Sequence, residues 1–423
     1  MAPPWSLPKR ILFRFVCSYF VLYCMPGDGR VNVLSAIPGA ATLAKPWSQL
    51  MHAICPWIAF HIFHLSGKPT TYFLTGSGDT TLAWIENGFF LVAALVASVV
   101  WSILDRKRPN YRAAHNWCRL LVRYTLALTL FAYGFAKVVP LQFQPPRFLQ
   151  LTQPYGDFSP MGVLWNFMGA SLPYTMLAGC AEVLGGLLLL FRRTTTLGAL
   201  VSFCALANVV ALNFCYDVPV KLYSTNLLLM CIFLAAPDLR RLVDVLVLNR
   251  DAAPADPMAV RFERRGMRIA ATVLWVLFAG WALTSEIIES RAGYRQYYVD
   301  VKHPPVYGLY DVEAFRLNGT SLENAADPAR WRKAWFIDSG LGVRTMTDQV
   351  TTFPGKFNVV KGVLAMDEGV GSLTWTVPDS EHVAVEGKIA GDSVYARLRR
   401  IDTSKMLLNS RGFHWINETP YNR

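Results

Sequence analysis

The chain reads as an α-helical membrane bundle of about seven spans, N-terminus inside and C-terminal side outside, followed by an all-β antiparallel barrel or sandwich. Three observations predict this. Of 423 residues, 53% are hydrophobic and 17% charged, with a mean hydropathy of +0.29, more apolar surface than a soluble core requires. Apolar runs of spanning length recur up to residue 288, and from about Tyr297 they give way to short segments of period two. The net charge of +12 is uneven: 17 Lys and Arg face 15 Asp and Glu from Arg291 onward, leaving 24 against 14 before it. The excess sits in short links between apolar runs, where it sets topology, so nucleic acid is not an expected partner.

The first element, Ile11 to Met25, holds Arg14 and lacks a prompt cleavage triplet. It reads as a retained signal anchor whose arginine snorkels toward the inner interface. Between it and the next span lies Pro46 to Leu65, read as a helix in the outer interface because three histidines and Pro56 oppose crossing. Clear spans follow at Leu82 to Leu104, Leu120 to Val139, Pro173 to Phe191, Leu197 to Tyr216 and Ile269 to Ile288. A shorter one runs from Leu222 to Ala236. The links after Leu104, Phe191 and Ala236 are rich in Arg and Lys, Arg261 among them, whereas those at 26–80 and 140–172 are poor; the rich links are therefore cytoplasmic. The second outer link, Gln/Pro-rich and then apolar, is longer than a connector needs to be.

In the β region, Leu373, Trp375 and Val377 alternate with threonines, and Val394, Ala396 and Leu398 with polar residues. Asn318-Gly319, Pro378-Asp379 and Gly391-Asp392 mark turns. Such a meander closes into a barrel whose interior is filled by its own side chains or holds an apolar ligand. The expected domains are 1–289, membrane, with a core at about 120–240, and 290–423, a periplasmic β domain.

Charges inside spans need burial, pairing or a water-filled cavity. Lys137 ends the third span, Glu182 lies near the middle of the fourth, Asn208, Asn213 and Asp217 follow one another on the fifth, and Lys221 opens the sixth. Tyr133 and Lys137 are four apart, as are Asn213 and Asp217, so each pair shares a helix face. Lys137, Asn213, Asp217 and Lys221 thus converge on the outer leaflet with Glu182 below them. The cluster either braces the bundle as an ion-pair network or forms a pocket for a quinone or lipid head group, with a lysine as donor or base.

The eight cysteines all precede residue 232 without a Cys-x-x-Cys pair, and no span holds a histidine, so neither zinc, haem nor thiol exchange is signalled. His61 and His64 share a helix face but His52 falls opposite, which leaves metal the weaker reading. No flavin motif is present, and GSGDTT at 76–81 lacks the lysine of a phosphate loop; Asp79 or Thr80 reads as a helix cap.

From YGFAK through GDFSPMGVLWNFMGAS, AEVLGGLLLLFRRTTTLGAL and NVVALNFCYDVPVKLYS, about residues 120–240, the chain resembles the DoxX-like bacterial membrane proteins. The shared features are a glycine and lysine near one helix end and Glu-x-x-Gly-Gly (Glu182, Gly185, Gly186) in the next. That resemblance implies a four-helix core in an inner membrane, a distant likeness to the membrane part of vitamin K-dependent carboxylases, and an association with quinones. It carries over no catalytic residue. The stretch VYGLYDVEAFRLNG resembles the first strand of a lipocalin-type barrel, with Tyr310 where tryptophan is usual. The leading expectation is therefore an inner-membrane protein that binds a quinone or other isoprenoid or lipid head group, with a periplasmic module for ligand or partner. The alternatives are a non-catalytic scaffold for a periplasmic protein and a hydroquinone-dependent enzyme.

Overall fold

The computed structural model describes residues 4–27, 29–34, 36–37, 39–65, 75–254, 264–324 and 327–422; Arg261 lies outside them. Two compact units divide the chain. The first comprises Met1–Phe143, Pro160–Leu164 and Leu172–Tyr294, and the second Gln144–Ser159, Trp165–Ser171 and Arg295–Arg423.

The helices in order are α1 (Leu7–Tyr23), α2 (Ala41–His61), α3 (Thr81–Leu104), α4 (Arg112–Val138), α5 (Phe148–Thr152), α6 (Pro160–Ala170), α7 (Leu172–Leu190), α8 (Thr195–Cys215), α9 (Lys221–Ala235), α10 (Leu239–Leu246) and α11 (Arg265–Tyr294). Among the described residues, six stretches are long and apolar enough to cross a membrane: Thr81–Leu104, Arg112–Val138, Leu172–Leu190, Arg192–Cys215, Lys221–Leu246 and Arg265–Val299. Their exposed faces are aliphatic, as in Val92, Leu95, Val96 and Val99 of α3 and Val273, Leu274 and Leu277 of α11, a surface suited to lipid rather than water. The 17 residues of α1 rise about 25 Å, somewhat short of the hydrocarbon thickness.

Helix α4 is the centre of the first unit, with Val122, Leu126, Leu130 and Phe131 fully buried. It begins eight residues before the apolar run at Leu120, because Tyr111, His115 and Cys118 bury a face that the polar string RAAHNWCR conceals. Close contact with α7 depends on glycine. A Cβ at Gly179 would meet the Gly134 carbonyl oxygen at 2.6 Å, and one at Gly186 would meet the Phe131 ring at 2.7 Å. Small residues at such spacing let two backbones approach in a membrane.

Arg14 does not snorkel. It is buried and donates to the Tyr111 hydroxyl (2.7 Å), Ser102 Oγ (2.7 Å) and the Asp105 carbonyl (3.0 Å), so the link after α3 folds over it. In α2, Met51, Cys55 and Ala59 are buried at intervals of four while Trp57 and Phe60 are exposed, which gives that helix one inward face.

In the second unit, nine strands form an antiparallel meander: β1 (Gly308–Leu317), β2 (Thr320–Ser321), β3 (Trp331–Ile337), β4 (Gly340–Thr345), β5 (Val350–Asn358), β6 (Val363–Met366), β7 (Gly371–Thr376), β8 (His382–Ile389) and β9 (Asp392–Ile401), with a short α12 (Leu407–Ser410) after them. β2 is a flap on β1; the other eight close into a barrel through β1–β9 pairing from Leu309↔Ile401 to Leu317↔Val394, with a bulge at Val312/Ala314. Closure removes the exposed edges that an open sheet would carry. Leu373, Trp375, Val394, Ala396 and Leu398 point inward as their alternation predicts, but Val377 falls beyond β7 and is exposed. The interior is packed with side chains, including Tyr310, Phe315, Trp331, Phe336 and Leu364, as expected for a barrel of eight strands. Tyr310, at the position where tryptophan was expected, is closed over by the Arg400 guanidinium, 5.2 Å from its ring centre.

Candidate polar site at one end of the helical bundle

Lys137 sits in the last turn of α4, and Glu182 is the third residue after Gly179, on the same glycine-lined face of α7. The close approach of the two backbones brings Lys137 Nζ to 2.9 Å from Glu182 Oε2, with both side chains buried. Nζ also donates to the Tyr133 carbonyl at 3.3 Å and lies 5.7 Å from the Tyr133 ring centre. An ammonium has three donors. Among the described residues, the third has no acceptor.

Tyr133 connects this pair to a second one. Its ring lies 6.0 Å from that of Tyr223, whose hydroxyl accepts from Val31 N–H at 3.3 Å and lies 3.3 Å from Thr129 Oγ1. Beside them, Arg30 Nη2 donates to Glu86 Oε1 at 3.0 Å, and the guanidinium lies over the rings of Tyr23 (5.0 Å) and Phe90 (5.3 Å). Tyr23, Arg30, Glu86, Asn87, Tyr133 and Tyr223 line a cavity of about 40 Å³, room for about three waters. Arg30 Nε is buried with no acceptor among the described residues. The cavity is thus bounded by a guanidinium nitrogen with spare capacity and by aromatic residues. Below it, Tyr19 donates to Asn226 Oδ1 (2.5 Å) and lies 2.8 Å from Asn87 Oδ1, tying α1, α3 and α9 together.

The other expected residues are distributed differently. Asn213 is buried and donates to Ser224 Oγ at 3.0 Å, a bond between α8 and α9. Asp217, at φ 51° in the turn after α8, is exposed and pairs with Lys221 at 2.8 Å. Lys221 Nζ is also 3.8 Å from Asp79. Asn208 is exposed on α8 and does not join the group. Of the seven predicted residues, Tyr133, Lys137 and Glu182 form one connected cluster, Asn213 staples two helices, and Asp217 and Lys221 make a rim pair. The two readings of GSGDTT divide between both residues: Thr80 Oγ1 caps α3 by accepting from Ala83 N–H (3.2 Å), while the Asp79 carboxylate caps α9 by accepting from Lys221 and Leu222 N–H (2.9 Å each).

Sequence reasoning missed Arg30, Glu86, Tyr23 and Tyr223. A signal existed for Glu86, a carboxylate inside a span by the same criterion that singled out Glu182. Arg30 lies in an irregular link and carried none.

No family model and no solved structure matches the chain. An uncharacterised protein of Bacillus subtilis (strain 168), YwoB, is 35% identical over 125 residues, which are 29% of this chain and 78% of the relative.

Proposed function

The chain belongs to the family of the Bacillus subtilis protein YwoB, and we propose that it is a multi-pass membrane protein binding a quinone or related isoprenoid or lipid head group at the polar end of its bundle. The observation that carries this reading is the buried Arg30 Nε without an acceptor among the described residues, at a cavity lined by Tyr23, Tyr133 and Tyr223, with the Lys137–Glu182 pair beside the Tyr133 ring. A brace satisfies its own donors, because an unpaired one in a low-dielectric interior is costly. A head group with carbonyl oxygens supplies the acceptors, and the tyrosine faces stack on its ring. The cavity of about 40 Å³ is too small for a six-membered ring, so binding requires the turn around Gly27–Arg30 or a tyrosine to move.

In this reading α1 is a seventh span, the N-terminus is cytoplasmic, and the Arg-rich links after α3, α7 and α9 are on the same side. The polar site then lies in the outer leaflet and the β domain in the periplasm of a DoxX-like inner-membrane protein. A second reading, that the β domain docks a protein partner, is favoured by its filled interior and by the exposed Phe413, Trp415 and Ile416 of its tail. A hydroquinone-dependent reaction with Lys137 as base remains the enzymatic form of the first.

Native mass spectrometry of protein purified in mild detergent, with an isoprenoid quinone supplied, tests the proposal. A bound quinone or lipid mass is expected, and Arg30→Gln and Tyr133→Phe should each diminish it. A clean apo mass throughout would contradict the pocket and leave the docking reading.

A further inference from the structure

Helix α9 hands the chain on to α10 at Asp238. From Lys221 to Asp238, about 18 residues rise about 27 Å, close to the hydrocarbon thickness, so these two charged residues bracket the spanning segment and α10 falls beyond it. Asp238 is fixed at that level. Its carboxylate accepts from Thr196 Oγ1, in the first turn of α8, at 2.5 Å and from Arg241 at 2.7 Å, while Arg119 donates to the Leu234 carbonyl at the end of α9 (2.9 Å).

The two faces of α10 differ in character. Arg240, Arg241 and Asp244 form one, and the chain returns along it: Asn249, at φ 47°, reverses the direction, Arg250 N–H donates to the Asp244 carbonyl (2.8 Å), and Arg241 Nε donates to the Ala253 carbonyl (2.9 Å). Leu239, Val243 and Leu246, spaced four and three apart, form the other face, which is bare; Leu246 is 70% exposed. A helix built for water does the reverse and buries its apolar stripe. The bare face also continues the exposed stripe of Leu229, Ile232 and Ala236, on the side of the bundle suited to lipid.

We propose that α10 is an interfacial helix that lies in the bilayer surface, with Leu239, Val243 and Leu246 among the acyl chains and its arginines toward water. Amphipathic helices with a charged face bind membranes in this way. A second copy of the chain is a poorer occupant. A face about 12 Å long and about 10 Å wide offers each copy about 120 Å², a small part of the roughly 800 Å² that a stable interface takes from each partner. Arg240, Arg241 and Arg250 are balanced by Asp238, Asp244 and Asp251, so the apolar layer itself, and not an anionic head group, is the partner. The inference rests on the bundle's embedding in a membrane but not on the polar cavity or its ligand.

Electron paramagnetic resonance of the full chain in phosphatidylcholine nanodiscs tests this. A nitroxide is attached at Leu239→Cys, Leu246→Cys, Arg240→Cys or, in α3, Val96→Cys, all exposed positions, with the exposed Cys180, Cys204 and Cys215 changed to Ala. Labels at Leu239 and Leu246 should collide mostly with dissolved oxygen, as at Val96, and the label at Arg240 mostly with a water-soluble nickel complex. Nickel-dominated collisions at Leu239 and Leu246, with oxygen-dominated ones at Val96, would overturn the proposal and leave the bundle embedded. Nickel-dominated collisions at Val96 as well would contradict the embedding itself. The proposal also fails if the Arg240 label is oxygen-dominated, which would make α10 part of the span, if oxygen dominates at Leu246 only after phosphatidylglycerol is added, or if the Leu246 spectrum is broadened by the label of a second copy.

Discussion

The helical bundle and the barrel use the same charged residue types in opposite places. In the bundle, Lys137–Glu182 and Arg30–Glu86 are buried between helices, and the aliphatic residues face outward. In the barrel, aromatic and aliphatic residues fill the interior, while Asp311, Glu313, Lys333, Arg397 and Arg399 form ion pairs on the outer face of β1, β3 and β9. The difference follows from the solvent each unit is built for. Facing lipid, a charge gains nothing by turning outward; facing water, it gains hydration. An ion pair of similar length therefore matters greatly in one unit and little in the other.

The sharpest contrast comes from breaking one pair in each unit. Glu182→Leu alone should destabilise the bundle by about 3–5 kcal/mol, because Lys137 is left buried and uncompensated. Unfolding titrations in detergent would read this, and a loss below about 1 kcal/mol would place the pair in water. In the barrel the large effect belongs to the core: Leu364→Ala, at a fully buried position, should cost about 2–5 kcal/mol through lost contacts and a residual cavity, measured by denaturant unfolding.

Glu313→Gln, by comparison, should change barrel stability by less than about 1 kcal/mol, although it meets Arg397 at 3.6 Å and Arg399 at 3.3 Å. A larger loss would mean that the outer network is not screened. The smallest effect is one of pH. Burial pushes the Tyr310 phenol up from its usual range, against the opposing pull of the Arg400 charge. A raised value favours the neutral form in the folded state. Its contribution is present below about pH 10 and is lost as pH rises through the folded value. Tyr310→Phe should flatten that alkaline decline, and an unchanged profile would assign it elsewhere.

Legibility in the sequence followed the same division. Apolar runs marked the spanning helices because lipid imposes length and composition on every crossing segment. The barrel was visible in Leu373–Trp375 and Val394–Leu398, where one buried face gives a period of two. The site was half visible. Lys137 and Glu182 stood out as charges within spans, and the glycines that let them meet fall at helical spacing. Arg30–Glu86 did not, because a pair 56 residues apart, with one member in an irregular link, leaves no periodic trace. Asn208 and Asp217 were misleading for a physical reason: spacing assigns residues to a common helix face but does not say whether that face is turned toward the neighbours.

Whether the bundle's charges form a site or only a brace is decided by removing both members of one pair. Lys137→Met and Glu182→Gln should be made singly and together, with unfolding free energy and bound quinone or lipid read from the same preparations. Their coupling energy separates pairing from independent roles. The double variant is expected to regain most of the stability lost by either single change while losing the bound molecule. Regained stability with the bound molecule undiminished would contradict the pocket and show the pair to be a brace.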